Sequence, residues 1–196
     1  MQKTKQVILI VGSATSGKTF LINKIMHNQC SSLSELLGIT DLASWHFTNA
    51  RDSKSTQEEG FERLIVHYDL YNQRNGKKID QLLLSSGQIT TLTLCIPPQV
   101  LAHRNKKRIF HHCQRWLREK KNRKILLTKI YSLSKRQIRN KQKFKVLEIY
   151  NDWFDHLQKH QTNSYWVDST SLNNDSTIHL LGEDRTAGLR VVKNLG

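Results

Sequence analysis

The chain alternates between short, continuous apolar runs and stretches with helical periodicity. Val7-Ile8-Leu9-Ile10-Val11 is unbroken and largely β-branched, the pattern of a strand buried on both faces. Phe20, Leu21, Ile22, Ile25 and Met26 then recur at helical spacing and predict a helix to about residue 29. Leu33 to Leu37 predicts a short helix, Trp45-His46-Phe47 a second strand, and the polar stretch Arg51 to Gly60 a loop. Leu64-Ile65-Val66-His67-Tyr68-Asp69-Leu70 is the next strong strand, an apolar run that arrives at an aspartate and gives way to a loop over Asn72 to Gly76. Ile79 to Leu84 predicts a helix. Ile89 to Ile96 alternates threonine with apolar residues and stops at Pro97-Pro98, as a strand does. From Gln99 to about His160 the pattern is helical, with three helices broken near Asn122 and at Ser132 to Ser134. Tyr165-Trp166-Val167 predicts a final strand ending at Asp168-Ser169-Thr170, and Gly182 to Gly196 carry no signal. Strands alternating with helices predict an α/β fold in three layers, a parallel sheet of about five strands between helices.

Composition is consistent with one domain over residues 1–196, with a basic, helical stretch at about 103–160. At 37% hydrophobic residues and 2 prolines, the chain can form a core and is not a disordered segment. No apolar run reaches the length of a membrane span, and no signal-peptide pattern opens the chain. The cysteines, Cys30, Cys95 and Cys113, are odd in number and form no C-x-x-C pair. A reduced, cytoplasmic protein is the expectation.

Charge changes the picture more. The net charge is +15, and most of it falls between His103 and Lys145, in clusters around Arg104 to Arg108, Arg118 to Lys124 and Lys135 to Lys141. Three roles compete for this segment: a solvated helical face, a site for an anionic substrate, and a nucleic-acid surface. Apolar residues threaded through it (Ile109, Phe110, Trp116, Leu117, Ile125, Leu126, Leu127, Ile130 and Tyr131) predict amphipathic helices with basic outer faces rather than a disordered tail.

Between the first strand and the first helix lies Gly12-Ser13-Ala14-Thr15-Ser16-Gly17-Lys18-Thr19, a full match to the phosphate-binding pattern G-x-x-x-x-G-K-[ST] in the strand-loop-helix context it requires. Glycines let the backbone curl so that successive N–H groups converge on phosphate oxygens, and the helix N-terminus favours anions. Lys18 can reach the β- and γ-phosphates, and the Thr19 hydroxyl can ligate Mg²⁺. The expected ligands are therefore ATP (or GTP) and Mg²⁺. Asp69, at the carboxyl end of a strand, stands where a carboxylate can hold Mg²⁺ or accept a proton from a substrate hydroxyl; the competing role is a strand-end cap. Arg104 and Arg108, four apart on a helix, share a face and can stabilise charge on a transferring phosphoryl group, unless they belong to the solvated basic surface. His111-His112-Cys113 is a poor metal site, because adjacent histidines on a helix diverge by about 100°. His27, Cys30 and His46 have no ligand spacing.

The order of these parts resembles the P-loop kinases of the nucleoside-monophosphate and shikimate kinase type. Gly12 to Thr19 matches their P-loop. Leu64 to Asp69 falls where they have a strand facing the phosphoryl acceptor. Leu92 to Leu101 followed by Arg104 and Arg108 is similar to their strand, P-x-x-[VL] and Arg-x-x-x-Arg turn, and Trp166 to Thr170 to their last strand and base loop. The resemblance implies that Lys18 neutralises phosphates, Thr19 holds Mg²⁺, Asp69 is base or metal ligand, Arg104 and Arg108 are lid arginines, and Asp168 to Thr170 lie near the base. It departs at the acceptor strand, where the usual D-G or D-R is replaced by His67-Tyr68-Asp69-Leu70, and in the lid, which a basic, helical, lid-like insertion at about 103–160 replaces or extends. The expectation is an ATP-dependent phosphotransferase acting on a small, anionic acceptor. The competing classes are a P-loop sulfotransferase-like enzyme, disfavoured by the intact Lys18-Thr19, and a nucleic-acid-associated nucleotide-binding protein. A GTPase switch is disfavoured because Asn140-Lys141-Gln142-Lys143 lacks the aspartate of N-K-x-D.

Overall fold

The structure, a computed structural model, describes residues 6–49, 61–71, 76–140, 142–160, 163–170 and 178–193. The loop expected at Arg51 to Gly60 and positions 72–75 of the loop expected at Asn72 to Gly76 lie outside the described residues, whereas Gly76 opens a helix instead of closing that loop.

Among the described residues six strands form one sheet: β1 (Gln6–Gly12), β2 (His46–Asn49), β3 (Arg63–Asp69), β4 (Gln88–Cys95), β5 (Asn163–Asp168) and β6 (Ile178–Leu180), in the order β2-β3-β1-β4-β5-β6. The first five are parallel, as expected. A sixth, β6, pairs antiparallel with β5, so Tyr165 to Val167 is not the last strand. Among the described residues seven α-helices complete the fold: α1 (Lys18–Met26), α2 (Ser31–Leu36), α3 (Gly76–Ser85), α4 (Pro98–Arg118), α5 (Arg123–Asn140), α6 (Lys143–Lys159) and α7 (Leu181–Lys193).

β1 reads as a continuous apolar run because both of its faces are covered. Ile8 and Ile10 pack with Leu21, Ile22 and Ile25 of α1 and with Leu33 beside it. Val7, Leu9 and Val11 pack on the other face with Ile79 and Leu83 of α3, Leu101 of α4, and α6. Val146, Tyr150, Trp153, Phe154 and Leu157 make a single buried stripe on α6, the helical repeat that seats it on the sheet. α7 approaches β5 so closely that a Cβ on Gly188 would lie 3.2–3.3 Å from the Trp166 ring.

The helical region at about 103–160 divides differently from the expected pattern. α5 runs unbroken through Ser132 to Ser134, and the second interruption falls at residues 141–142 instead. Mid-helix serines cost only a fraction of a kcal/mol, and the seam carrying buried Leu126 and Leu133 continues across them. α6 belongs to the core layer. α4 and α5 form an antiparallel hairpin, in which buried Asn105 donates to the Leu133 carbonyl at 3.4 Å. Their amphipathicity is incomplete: Leu126 and Leu133 are buried, whereas Phe110, Leu117, Ile125, Leu127 and Tyr131 are exposed among the basic residues.

β1 and β4 are neighbours whose following segments depart in opposite directions, toward β2 and toward β5. In open parallel sheets such a switch point, at the carboxyl ends of the strands, is where ligands bind. Residues 12–19 and the start of α4 both emerge there.

Candidate functional site

Gly12 closes β1 and has to be glycine. A Cβ there would meet Ser16 Oγ at 2.6 Å and the Leu94 Cβ and carbonyl oxygen at 3.2 Å, the latter fixed in β4. The loop then turns through two left-handed residues, Thr15 at φ 70° and Gly17 at φ 106°. Gly17 caps α1, and the first intrahelical bond runs from the Leu21 N–H to the Gly17 carbonyl at 2.9 Å. N–H groups in a helical first turn precede that ladder and point out of the N-terminus.

Lys18 is 3% exposed and folds back over the loop, donating from Nζ to the Gly12 and Ser13 carbonyls at 2.6 and 2.7 Å. The ammonium group is thus held at the loop by neutral acceptors. Thr19 is exposed. Together with Thr15, Gly17, Lys18 and, from α4, Arg104, Lys107, Arg108 and His111, it lines a cleft of about 460 Å³. Among the described residues, every charged or titratable side chain lining that cleft is basic, which favours an anionic occupant.

Asp69 ends β3 level with Gly12, and the Leu70 N–H donates to the Gly12 carbonyl at 3.2 Å, fixing the carboxylate next to the loop. The side chain is buried. Asp69 Oδ1 accepts from the Tyr71 N–H at 3.2 Å, and Oδ2 lies 4.0 Å from Arg136 Nη2 of α5.

The two arginines of α4 have different surroundings. Arg104 is spent on backbone: it donates to the carbonyls of Thr15 (3.5 Å), Ser16 (3.2 Å), Ser169 (2.7 Å) and Thr170 (2.8 Å). It therefore ties the loop after β1 to the segment after β5. Burial lowers its pKa, and the charge of Asp168 opposes this. Asp168 itself accepts from the Thr170 N–H at 2.8 Å. Arg108 is exposed. It faces both the 460 Å³ cleft and a second cleft of about 340 Å³ lined by His112, Lys129 and Arg136, so a cationic surface runs from the loop along the α4–α5 seam.

Two contributors have no signal in the sequence. Arg136 lies within a basic cluster and is distinguished only by its reach to Asp69. Tyr150, on the apolar stripe of α6, is completely buried beneath the loop. It donates to the Leu94 carbonyl at 2.8 Å, shares a hydrogen bond with Ser13 Oγ at 3.2 Å, and accepts from the Ser13 N–H at 3.4 Å. Burial raises its pKa strongly, so it acts as a neutral hydroxyl.

No protein-family model matches the chain, and no curated protein or solved structure shows significant similarity to it.

Proposed function

We propose that residues 12–19 bind the phosphates of ATP (or GTP) and that the protein transfers a phosphoryl group to a small anionic acceptor. One observation carries this reading. The full G-x-x-x-x-G-K-[ST] sequence lies at the carboxyl end of the central strand, at the switch point, with a carboxylate level with its first glycine on the next strand. Mg²⁺ is the ion this chemistry uses. The Thr19 hydroxyl and the Asp69 carboxylate are the hard oxygen donors it takes, and the 4.0 Å contact of Asp69 with Arg136 is long enough to yield to an ion. When bound, Mg²⁺ supplies neutralisation of phosphate charge.

The chain's own residues account for the rest. N–H groups of the loop and of the α1 N-terminus orient the phosphates. Lys18 exchanges its two carbonyls for phosphate oxygens, a stronger, charge-assisted pairing. Arg108 faces the cleft unclamped by backbone and adds positive charge where negative charge develops. Asp69, in its other role, accepts the acceptor's proton. Leu70 and Tyr71, directly after Asp69, line a further cleft of about 460 Å³ of mixed character, with Lys135 and Lys145 opposite Glu148 and Asp152, beside which an acceptor can approach Asp69. The test is transfer of labelled phosphate from ATP to a panel of small anionic acceptors. Asp69→Asn is expected to retain nucleotide binding and lose turnover by about 10²-fold or more. Full turnover in this variant would reduce Asp69 to a strand-end cap.

A second reading, nucleic-acid association, is favoured by exposed Lys120, Lys121 and Lys124 at the tip of the α4–α5 hairpin. A sulfotransferase-like activity has the intact Lys18-Thr19 against it.

A further inference from the structure

We propose that Asp80, His156 and His160 form a binding site for a transition-metal ion of the zinc class, on the sheet face opposite α1. Asp80 lies on α3. His156 lies in the last turn of α6, and His160 is the residue that caps that helix, its N–H donating to the His156 carbonyl at 3.3 Å, so the two side chains stand one turn apart. One ligand atom from each of the three lies within 4.8 Å of the others, and among the described residues no other trio of His, Cys, Asp or Glu converges in this way. Asp80 Oδ1 is 3.2 Å from His156 Nε2, and the two imidazole centroids are 4.7 Å apart. Ligand atoms on a tetrahedral zinc ion stand about 3.4 Å from one another at metal–ligand distances near 2.1 Å. Small side-chain rotations therefore close the set without moving either helix.

The donor set selects the ion. Two imidazoles and one carboxylate suit Zn²⁺, Co²⁺, Ni²⁺ or Cu²⁺; Mg²⁺ and Ca²⁺ prefer oxygen ligands throughout. The site is distinct in kind from one formed by Thr19 and Asp69, and it does not depend on the reading of the Gly12–Thr19 loop. Burial lowers the His156 pKa, with the neighbouring Asp80 charge opposing, a direction that favours the neutral, coordinating form of the ring. Three protein ligands leave a fourth position for water or an exogenous group. Asp80 and His156 both face a cleft of about 300 Å³, with Tyr68, Asp152 and Trp153, from which such a ligand can approach. An ion here joins α3, the helix that follows Asp69 and β3, to α6, which carries Tyr150 beneath the loop.

The experiment is a titration of the untagged, metal-free full chain with Zn²⁺ against a chromophoric chelator, together with Co²⁺ monitored by its visible absorption. One equivalent is expected to bind with a Kd in the micromolar range or below, and Co²⁺ to develop the intense bands of a tetrahedral nitrogen–oxygen site. His160→Gln and Asp80→Asn, both at partly exposed positions, should each weaken Zn²⁺ at least about tenfold. His111→Gln with His112→Gln should leave the affinity unchanged. A Kd weaker than about 100 μM, or an affinity untouched by both His160→Gln and Asp80→Asn, overturns the proposal.

Discussion

Thr15 holds a conformation that its side chain disfavours. At φ 70° a β-branched residue is strained, a state that costs about 1–3 kcal/mol and persists only when the surroundings enforce it. Glycine relieves the strain but loses about 0.4–1 kcal/mol to chain entropy. Thr15→Gly is therefore expected to raise the melting temperature by roughly 2–4 °C in a chain of this size. A fall in Tm would show that the threonine hydroxyl, bonded to the Ala14 carbonyl, outweighs the strain. The two α4 arginines separate in the same measurement. Arg104 satisfies four carbonyls, so it positions the loop. Arg104→Ala should lower Tm by roughly 4–8 °C and weaken nucleotide binding along with turnover. Arg108 touches no backbone partner of this kind; Arg108→Ala should leave Tm unchanged and reduce turnover more than nucleotide affinity. Equal thermal effects for the two variants would contradict the distinction.

Among the elements, α6 links the core to the loop. Tyr150→Phe removes the hydroxyl that bonds Leu94 and Ser13 and leaves a buried carbonyl unsatisfied, a loss of about 1–3 kcal/mol readable by urea denaturation. Unchanged stability would mean that the Tyr150 bonds contribute nothing net. Much of this architecture was legible in the sequence. Val7 to Val11 is fully buried and Leu64 to Asp69 is buried except at half-buried His67; parallel strands of this kind advertise themselves as apolar runs. Gly12 to Thr19 is a motif whose glycines answer to backbone geometry. Other parts were silent for physical reasons. β6 has three residues, too few for any periodicity to register. α7 contains Gly182 and Gly188, which oppose helix by local propensity, but a small residue at 188 is what packing against Trp166 demands. The contacts Arg136–Asp69, Tyr150–Ser13 and Asp80–His156 join residues distant along the chain and leave no local pattern. The second break in the basic helices was misplaced because serine is a weak helix breaker when its side chain can face water.

At the scale of the whole molecule, two charge effects follow. Cys95, Tyr68 and Tyr150 all have raised pKa values, with burial the leading cause. Each stays protonated when folded at a pH where the unfolded chain has begun to lose that proton. Stability from these groups is thus complete below about pH 8 and falls as pH rises through the unfolded-state range of cysteine and then tyrosine; a Tm that is flat from pH 8 to 11 would contradict this. The second effect concerns the hairpin tip. Exposed charges are screened beyond a Debye length of about 8 Å, so changing Lys120, Lys121 and Lys124 together should leave transfer to a small acceptor nearly unaffected. If nucleic acid is the partner, the triple variant should instead weaken salt-sensitive binding in a gel-shift titration at two salt concentrations. Absence of any shift at low salt removes that partner. Phosphoryl transfer presupposes that the loop at the switch point binds triphosphate, and calorimetric titration of Mg²⁺·ATP and Mg²⁺·GTP into wild type and Lys18→Ala measures this directly. Saturable binding of at least one nucleotide by wild type, weakened or abolished in a folded Lys18→Ala variant, is the predicted result. No binding by wild type, or equal affinity in the two proteins, would contradict the account.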